Sequence, residues 1–348
     1  MPEPANASPD PASTPSPGGT SREDVPAPGV ARRRLLRRAG TVVAAAGAGA
    51  AAGALLSAHA GRQEGATRKQ QPTFLLVHGA NSNAYAFAPL IAALALEGHR
   101  ALAVDLPGHG ARANFPLSYQ APQDLAAFAT APSPVLSKAT LEDNARHVVG
   151  VVRRIARQGP VILVGHSMGG ATITRVGNQV PDAIARMVYL SAFCCVRIRT
   201  ILDCFLVPEG RTTLLPTIPS VGSPERTGVL RNNWRSADAG FLAKAKAAFA
   251  ADYDDAAFRN ALNTFEPDES ASLIRDDARG HPATWGRIPR SYVRFTVDRS
   301  IPPALQGRMI KEADAATPGN RFDVHSLRAP HLGPADPAPL AAILAGLA

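Results

Sequence analysis

The 348 residues include 45% hydrophobic and 19% charged side chains, enough apolar material for one large α/β domain or two small ones. Aromatic residues make up only 5%, which argues against a base-stacking nucleic-acid surface. Part of the net charge of +9 sits at the N-terminus; the rest is scattered after residue 60, with no block of five or six like charges, so it reads as a solvated face and not as a polyanion-binding tail.

Residues 1–31 are rich in Pro, Ser, Ala and Gly, hold little that could be buried, and are expected to be disordered. Arg32-Arg33-Arg34-Leu35-Leu36-Arg37-Arg38 then precedes an uncharged stretch from Ala39 to Leu56 and an Ala58-His59-Ala60 site. Basic segment, apolar segment and A-x-A site make residues 32–60 a secretory signal. The Arg32-Arg33-x-Leu35-Leu36-Arg37 order resembles a twin-arginine signal, which implies transient contact with an export machinery and a secreted or extracytoplasmic product. Left uncleaved, the same stretch approaches spanning length and would anchor the protein in a membrane. The basic region is preceded by an unusually long leader, and a GTG start at Val30 would shorten it.

From Thr73 onward short apolar runs alternate with helical stretches, the pattern of a mainly parallel sheet with crossover helices. Strands are expected at Thr73–Val77, Ala101–Val104, Val161–Val164 and Ile184–Leu190, with helices at Pro89–Leu96, at Leu141–Arg157 and following Gly165-His166-Ser167-Met168-Gly169-Gly170 to about Val180. Residues 192–290 break the rhythm with Pro-rich turns and helical pieces at Phe241–Ala251 and Asp254–Leu262 but no clear strand. They read as a mostly helical lid between two parts of one core, 73–191 and 291–348. Trp234, Phe241 and Phe249 are candidates for a pocket wall there, or for the lid's own core. The second part resumes with a strand at Tyr292–Val297, a helix at Pro303–Ala313, a strand at Arg321–Ser326 and a closing helix at Pro337–Leu347. Cys194, Cys195 and Cys204 fall close together at the start of the lid. A Cys194–Cys204 or Cys195–Cys204 bridge is open to them, and zinc is not expected without further ligands.

Gly165-His166-Ser167-Met168-Gly169 lies between a strand and a helix and fits G-x-S-x-G. A sharp turn there exposes the Ser167 hydroxyl above the sheet edge, and a hydroxyl needs a base and a carboxylate to orient that base. Asp298 directly follows the Tyr292–Val297 strand, and His331 lies in the loop before the last helix, so nucleophile, acid and base occur in the order this arrangement requires. His325 is the rival base but sits inside a strand, and Asp323 and Asp336 are the reserve acids. Two backbone N–H groups should stabilise the oxyanion, one from Met168 and one from the loop after the first strand, most simply Ala80. His78, Asp105 and His109 read as supports of neighbouring loops, and His166 as an elbow residue packed beside the sheet. No metal-ligand cluster, phosphate loop or dinucleotide fingerprint occurs, Gly108-His109-Gly110 lacking the remaining spacing, so no metal and no cofactor is expected.

Leu76-Val77-His78-Gly79-Ala80, Asp105-Leu106-Pro107-Gly108-His109-Gly110 and Gly165-His166-Ser167-Met168-Gly169-Gly170 together resemble the α/β-hydrolase superfamily. Trp285-Gly286-Arg287-Ile288-Pro289 and Ile301-Pro302 bring the likeness closer to the branch of plant hydroxynitrile lyases and methylesterases with their bacterial esterase relatives. The likeness runs over residues 73–348 and implies the α/β-hydrolase fold. Lyases of that branch are similar in carrying Thr after the first-strand His and Lys after the catalytic His. Gly79 and Leu332 stand there instead, which implies hydrolysis. Epoxide and haloalkane enzymes of the fold would have Asp at the place of Ser167. The expected activity is that of a carboxylesterase on a small or medium ester, acting through an acyl-enzyme. Lactonase, amidase or acyltransferase chemistry on the same triad remains open, as does a catalytically silent ligand-binding protein. Cys194-Cys195-Val196-Arg197 departs from the usual start of the lid, so no substrate is carried over.

Overall fold

Five consecutive residues, Thr73–Val77, are fully buried, which a strand achieves only in a sheet covered on both faces. A computed structural model describes residues 70–348, so the leader expected over 1–31 and the signal over 32–60 lie outside the described residues. The strands in chain order are β1 (Thr73–Val77), β2 (Arg100–Val104), β3 (Val161–His166), β4 (Arg186–Leu190), β5 (Val229–Arg231), β6 (Asp268–Ser270), β7 (Arg290–Phe295) and β8 (Asp323–Leu327). Among the described residues, six of them form one parallel sheet in the order β2-β1-β3-β4-β7-β8. The chain runs from β1 outward to β2 and then crosses to β3 on the other side. The loops after β1 and β3 therefore flank the switch point where sheets of this kind open a crevice.

The helices are α1 (Ala88–Leu96), α2 (Leu125–Thr130), α3 (Leu141–Ala156), α4 (Gly169–Gln179), α5 (Ile201–Leu206), α6 (Pro224–Thr227), α7 (Ala239–Phe249), α8 (Asp255–Leu262), α9 (Pro303–Ala316) and α10 (Ala338–Ala345). Side chains alternate across each strand, so the sheet has two cores. Leu75, Val77, Leu163 and Tyr189 pack with Val148 and Val152 of α3, Ile173 of α4 and Leu305 of α9. Phe74, Leu76, Val164 and Val293 pack on the opposite face with Leu94 of α1 and Leu344 of α10. At about 1.5–3 kcal/mol for each fully buried large aliphatic or aromatic side chain, these layers fix the strand ends that carry the site. The start of α3 is set locally: Thr140 accepts from the Asp143 N–H, and the Asp143 carboxylate accepts from Thr140 in return.

The lid holds its own core of Trp234, Phe241, Phe258, Leu262 and Phe265. Its expected lack of strands is corrected by β5 and β6, which pair as an antiparallel ribbon. β6 is the polar run Asp268-Glu269-Ser270, yet all three residues are buried. Burial is possible because the Arg231 guanidinium meets Asp268 at 2.6 and 2.8 Å and also donates to the Phe128 carbonyl. β7 starts at Arg290 instead of Tyr292 for a similar reason. That arginine is buried over the Trp285 ring at 4.0 Å. Cys194, Cys195 and Cys204 are buried free thiols, with the Cys195 and Cys204 sulfurs 3.7 Å apart.

Candidate active site

β3 ends in the turn that carries Ser167, whose φ of +54° is a left-handed conformation that a residue with a side chain adopts only when its surroundings impose it. The imposition is visible: the Ser167 carbonyl accepts from Gly170 N–H at 3.1 Å and Phe193 N–H at 3.0 Å. Two glycines let backbone pass close by. A Cβ on Gly169 would lie 2.5 Å from the Val77 carbonyl oxygen, and a Cβ on Gly79 would lie 2.7 Å from Cβ of Ser167. A side chain after His78 would thus press on the serine itself.

The structure brings Ser167, His331 and Asp298 together although the loops that carry them are far apart in sequence. His331 Nε2 lies 2.9 Å from Ser167 Oγ, and His331 Nδ1 lies 2.7 Å from Asp298 Oδ2. A carboxylate only accepts, so Nδ1 carries the proton and Nε2 accepts from the Ser167 hydroxyl. All three residues are buried. Asp298 accepts from donors beyond His331: the N–H groups of Ser300 at 2.6 Å and Ile301 at 2.8 Å, and the Ser191 hydroxyl at 2.6 Å. Ser191, one residue past β4, was not singled out from sequence. A lone serine after an apolar strand carries no local signal of what it faces.

The remaining candidates divide. His325 stands in β8 and pairs with Asp323 at 3.1 Å, and Asp336 is exposed and accepts from Ala338 N–H at 3.0 Å; neither pairing involves Ser167. His166 donates from Nε2 to the His331 carbonyl at 2.8 Å, steadying the loop that carries His331. Burial, reinforced by the neighbouring His331, lowers His166 to about 3, so it is a neutral donor. His78 donates from Nδ1 to the Gly79 carbonyl at 2.8 Å and accepts from Leu106 N–H at 3.1 Å. Burial and the nearby His109 lower it to about 4, which keeps it in that neutral form. Asp105 accepts from Ala84 N–H at 2.7 Å.

His109 does more than support its own loop. It crosses to the lid, with Nδ1 2.7 Å from Glu266 Oε2 and Nε2 3.5 Å from Glu269 Oε2. Burial opposes its protonation, but the two carboxylates prevail and raise it to about 10. The same pairing with His109 holds Glu269 below the usual carboxylate range against the opposing effect of burial. Neither glutamate was picked out from sequence, because each acts on a loop more than 150 residues away.

Ala80 and Met168 flank Ser167 on the wall of a cavity of about 900 Å³. Among the hydrogen bonds of the described residues, none engages the N–H of Ala80 or Met168. Two unused donors beside a nucleophile are what a developing oxyanion requires. The wall is mainly apolar, with Phe193, Phe205, Leu215, Trp234 and Phe249 among its residues; its polar members, such as Asn81, Asn232 and Asn260, are uncharged, and none of the lining residues is Asp, Glu, Lys or Arg. Of the three aromatic wall candidates, Trp234 and Phe249 line the cavity, whereas Phe241 packs against Trp234 inside the lid.

A sequence model of the alpha/beta hydrolase family matches residues 74–343. The chain is 27% identical over 242 residues to a pyrethroid hydrolase of Sphingobium wenxiniae, covering 68% of this chain and 75% of that one. It is 33% identical over 152 residues to a carbendazim hydrolyzing esterase of a Nocardioides species, covering 44% of this chain and 49% of that one. Among solved structures, an extracellular alpha/beta-hydrolase from a Paenibacillus species superposes with a TM-score of 0.58 at 21% identity, over 79% of this chain and 98% of the other, a likeness of fold.

Proposed function

This chain belongs to the alpha/beta hydrolase family, and on that premise we propose that it is an exported serine esterase with Ser167 as nucleophile, His331 as base and Asp298 as orienting acid. The observation that carries the reading is the unbroken line of hydrogen bonds from Ser167 through His331 to Asp298, 2.9 and 2.7 Å long, opening on a cavity with two unengaged N–H groups.

Each step follows from an atom in place. Ser167 Oγ attacks the ester carbonyl while His331 Nε2 takes its proton, a transfer worth about 10²- to 10⁴-fold in rate. The carbonyl oxygen, now an anion, is held by the N–H groups of Ala80 and Met168, each worth about 2.7–4 kcal/mol of transition-state stabilisation. Asp298 stabilises the imidazolium and keeps the ring in the required tautomer. His331 then returns its proton to the departing alkoxide, and the alcohol leaves. A water molecule, deprotonated by the same nitrogen, attacks the acyl carbonyl; the bond to Ser167 Oγ then breaks, the carboxylic acid leaves, and His331 returns the proton to Ser167 Oγ.

The mainly apolar, uncharged wall supports an uncharged ester as substrate, since a charged group would lose its hydration without meeting an opposite charge. The cavity of about 900 Å³ also admits esters at the large end of the range expected from sequence. The relatives named for pyrethroid and carbendazim hydrolysis suit such a cavity. Hydrolysis is favoured over release of cyanide because Leu332 follows His331 and no Lys or Arg lines the cavity to steady a departing anion. Export through the Arg32-Arg33 signal is part of the proposal and is tested by the N-terminus of the protein recovered outside the cell. An N-terminus beyond Ala60 is expected, and an intact one in a membrane fraction would replace export with anchoring.

The activity is tested by labelling the purified protein with a fluorophosphonate, mapping the labelled peptide, and assaying p-nitrophenyl esters of increasing chain length. Label on Ser167, absent from His331→Ala, together with ester turnover is the expected result. Well-folded protein that neither labels at Ser167 nor hydrolyses any ester would overturn the reading.

A further inference from the structure

The N–H of Ala80 shares a peptide plane with the carbonyl of Gly79, so whatever orients that carbonyl aims the N–H. The carbonyl is held by His78 Nδ1 at 2.8 Å. On the other side of Ala80, Asn81 is gripped by the lid through its N–H, its carbonyl and its side-chain amide nitrogen. Its N–H donates to Glu269 Oε2 at 3.1 Å, its carbonyl accepts from Glu266 N–H at 2.9 Å, and its Nδ2 donates to the Glu266 carbonyl at 3.0 Å. Asn81 is thereby kept at φ +53°, a left-handed conformation that asparagine adopts more readily than most residues with a side chain. Glu266 Oε1 also takes the N–H of Gly110 and Nδ2 of Asn83, both at 2.8 Å.

The two grips share one foundation. The His78 ring meets the His109 ring edge-on with centroids 4.9 Å apart, and His109 is in turn held by Glu266 and Glu269. Glu269 itself lies on β6, whose neighbouring Asp268 is locked by Arg231 of β5. A rigid ribbon therefore presents two buried carboxylates to the underside of the loop that carries Ala80. The lid could cover the site with apolar residues and leave no buried charge to balance; two carboxylates placed there act on something specific.

We infer that Glu269, with Glu266, is a positioning residue for the oxyanion loop, so that the docked lid, and not the sheet alone, sets the aim of the Ala80 N–H. Neither glutamate lines the cavity, so their removal leaves substrate contacts in place and misdirects a donor that matters only when the carbonyl oxygen becomes an anion. The inference rests on the esterase reading and extends it: turnover depends on the lid being seated.

The test is Glu269→Gln in the whole protein, with kcat expressed per active site titrated by fluorophosphonate. A drop of about 10- to 100-fold in kcat with KM within about twofold is expected, the scale set by an angstrom-level misplacement at a reacting centre. An aliphatic trifluoromethyl ketone, which becomes an oxyanion on Ser167, should lose affinity by the same factor as kcat/KM. The matching methyl ketone should not. Phe258→Leu serves as the control, loosening the lid core at a residue that does not line the cavity: it should lower Tm and leave kcat per titrated site unchanged. If Glu269→Gln fails to fold, Asn81→Gly takes its place, deleting the Nδ2 bond and releasing the left-handed backbone, with a kcat loss in the same direction. Glu269→Gln that behaves like Phe258→Leu, with lower Tm but unaltered kcat and ketone affinity, overturns the positioning role and leaves the esterase reading standing. Wild-type protein without ester turnover or Ser167 labelling overturns both.

Discussion

The site has two halves that are built differently. Ser167, Asp298 and His331 stand at the ends of strands β3 and β7 and in the loop after β8, where the sheet brings them together and the lid adds single bonds, as from Leu332 N–H to the Phe249 carbonyl and from the Ser300 hydroxyl to the Ala248 carbonyl. Ala80 stands on a loop whose next residue is fastened to the lid, and the lid also supplies Phe193, Phe205, Trp234 and Phe249 to the cavity wall. The chemical half is thus set mainly by the core, whereas the half that recognises charge and substrate is set mainly by a contact between two layers. Damage to the first should stop the reaction in an intact molecule. Damage to the second should loosen a layer and degrade the reaction by degrees.

The largest effect should come from the sheet half. Asp298→Asn leaves the donors of Ser191, Ser300 and Ile301 in place but removes the acceptor that selects the His331 tautomer. It should lower kcat about 10⁴-fold with an unchanged unfolding midpoint. A loss under tenfold would mean that His331 is oriented mainly by His166 and its own loop. The lid half should answer to Arg231→Ala, which strands a buried Asp268 and should reduce stability by about 3–5 kcal/mol in urea unfolding. Replacing both partners together, Arg231→Met with Asp268→Leu, should recover much of that loss, and a double variant as unstable as the single one would show that packing and not charge holds the ribbon. Ser191→Ala is a milder probe of the sheet half. Removing one hydrogen bond to the Asp298 carboxylate should lower kcat roughly tenfold, in line with about 1.5 kcal/mol for a bond to a charged group. No change in kcat or in its pH profile would make the serine a packing residue.

The smallest effect should be one of pH on the lid contact. His109 is raised from its ordinary 6.5 to about 10 in the folded protein. The stability it contributes is therefore complete below pH 6.5 and is lost as pH rises through about 10. Tm should fall across that interval in the wild type and fall less steeply in His109→Gln. Parallel slopes would mean that the histidine is not the group being titrated.

The difference between the halves is also a difference in legibility. Thr73–Val77 and Val161–Val164 announce themselves as buried strands, and G-x-S-x-G announces its turn, because each is a run of neighbours whose pattern is local. Asp298 and His331 followed from their places after strands. The order of elements carried them, although the strand before Asp298 runs over Arg290–Phe295 and not Tyr292–Val297. Asp268-Glu269-Ser270 gave no such sign. Three polar residues resemble a loop until Arg231, His109 and Asn81 are seen to satisfy them. Likewise Phe241 and Trp234 look alike in sequence, and only the packing of α7 puts one under the other and so one on the cavity and one in the lid core.

By itself, then, the sequence determined the fold class and the residues from which a nucleophile, base and acid could be drawn, because apolar periodicity and glycine-bearing turns are properties of short stretches of chain. Tertiary structure decided the hydrogen bonds that join the three residues, the size and neutrality of the cavity, and the hold of Glu266 and Glu269 on the loop after β1. Those depend on which distant groups meet in a space without water, where a carboxylate is tolerated only beside the donors and the cation that the folded chain brings to it.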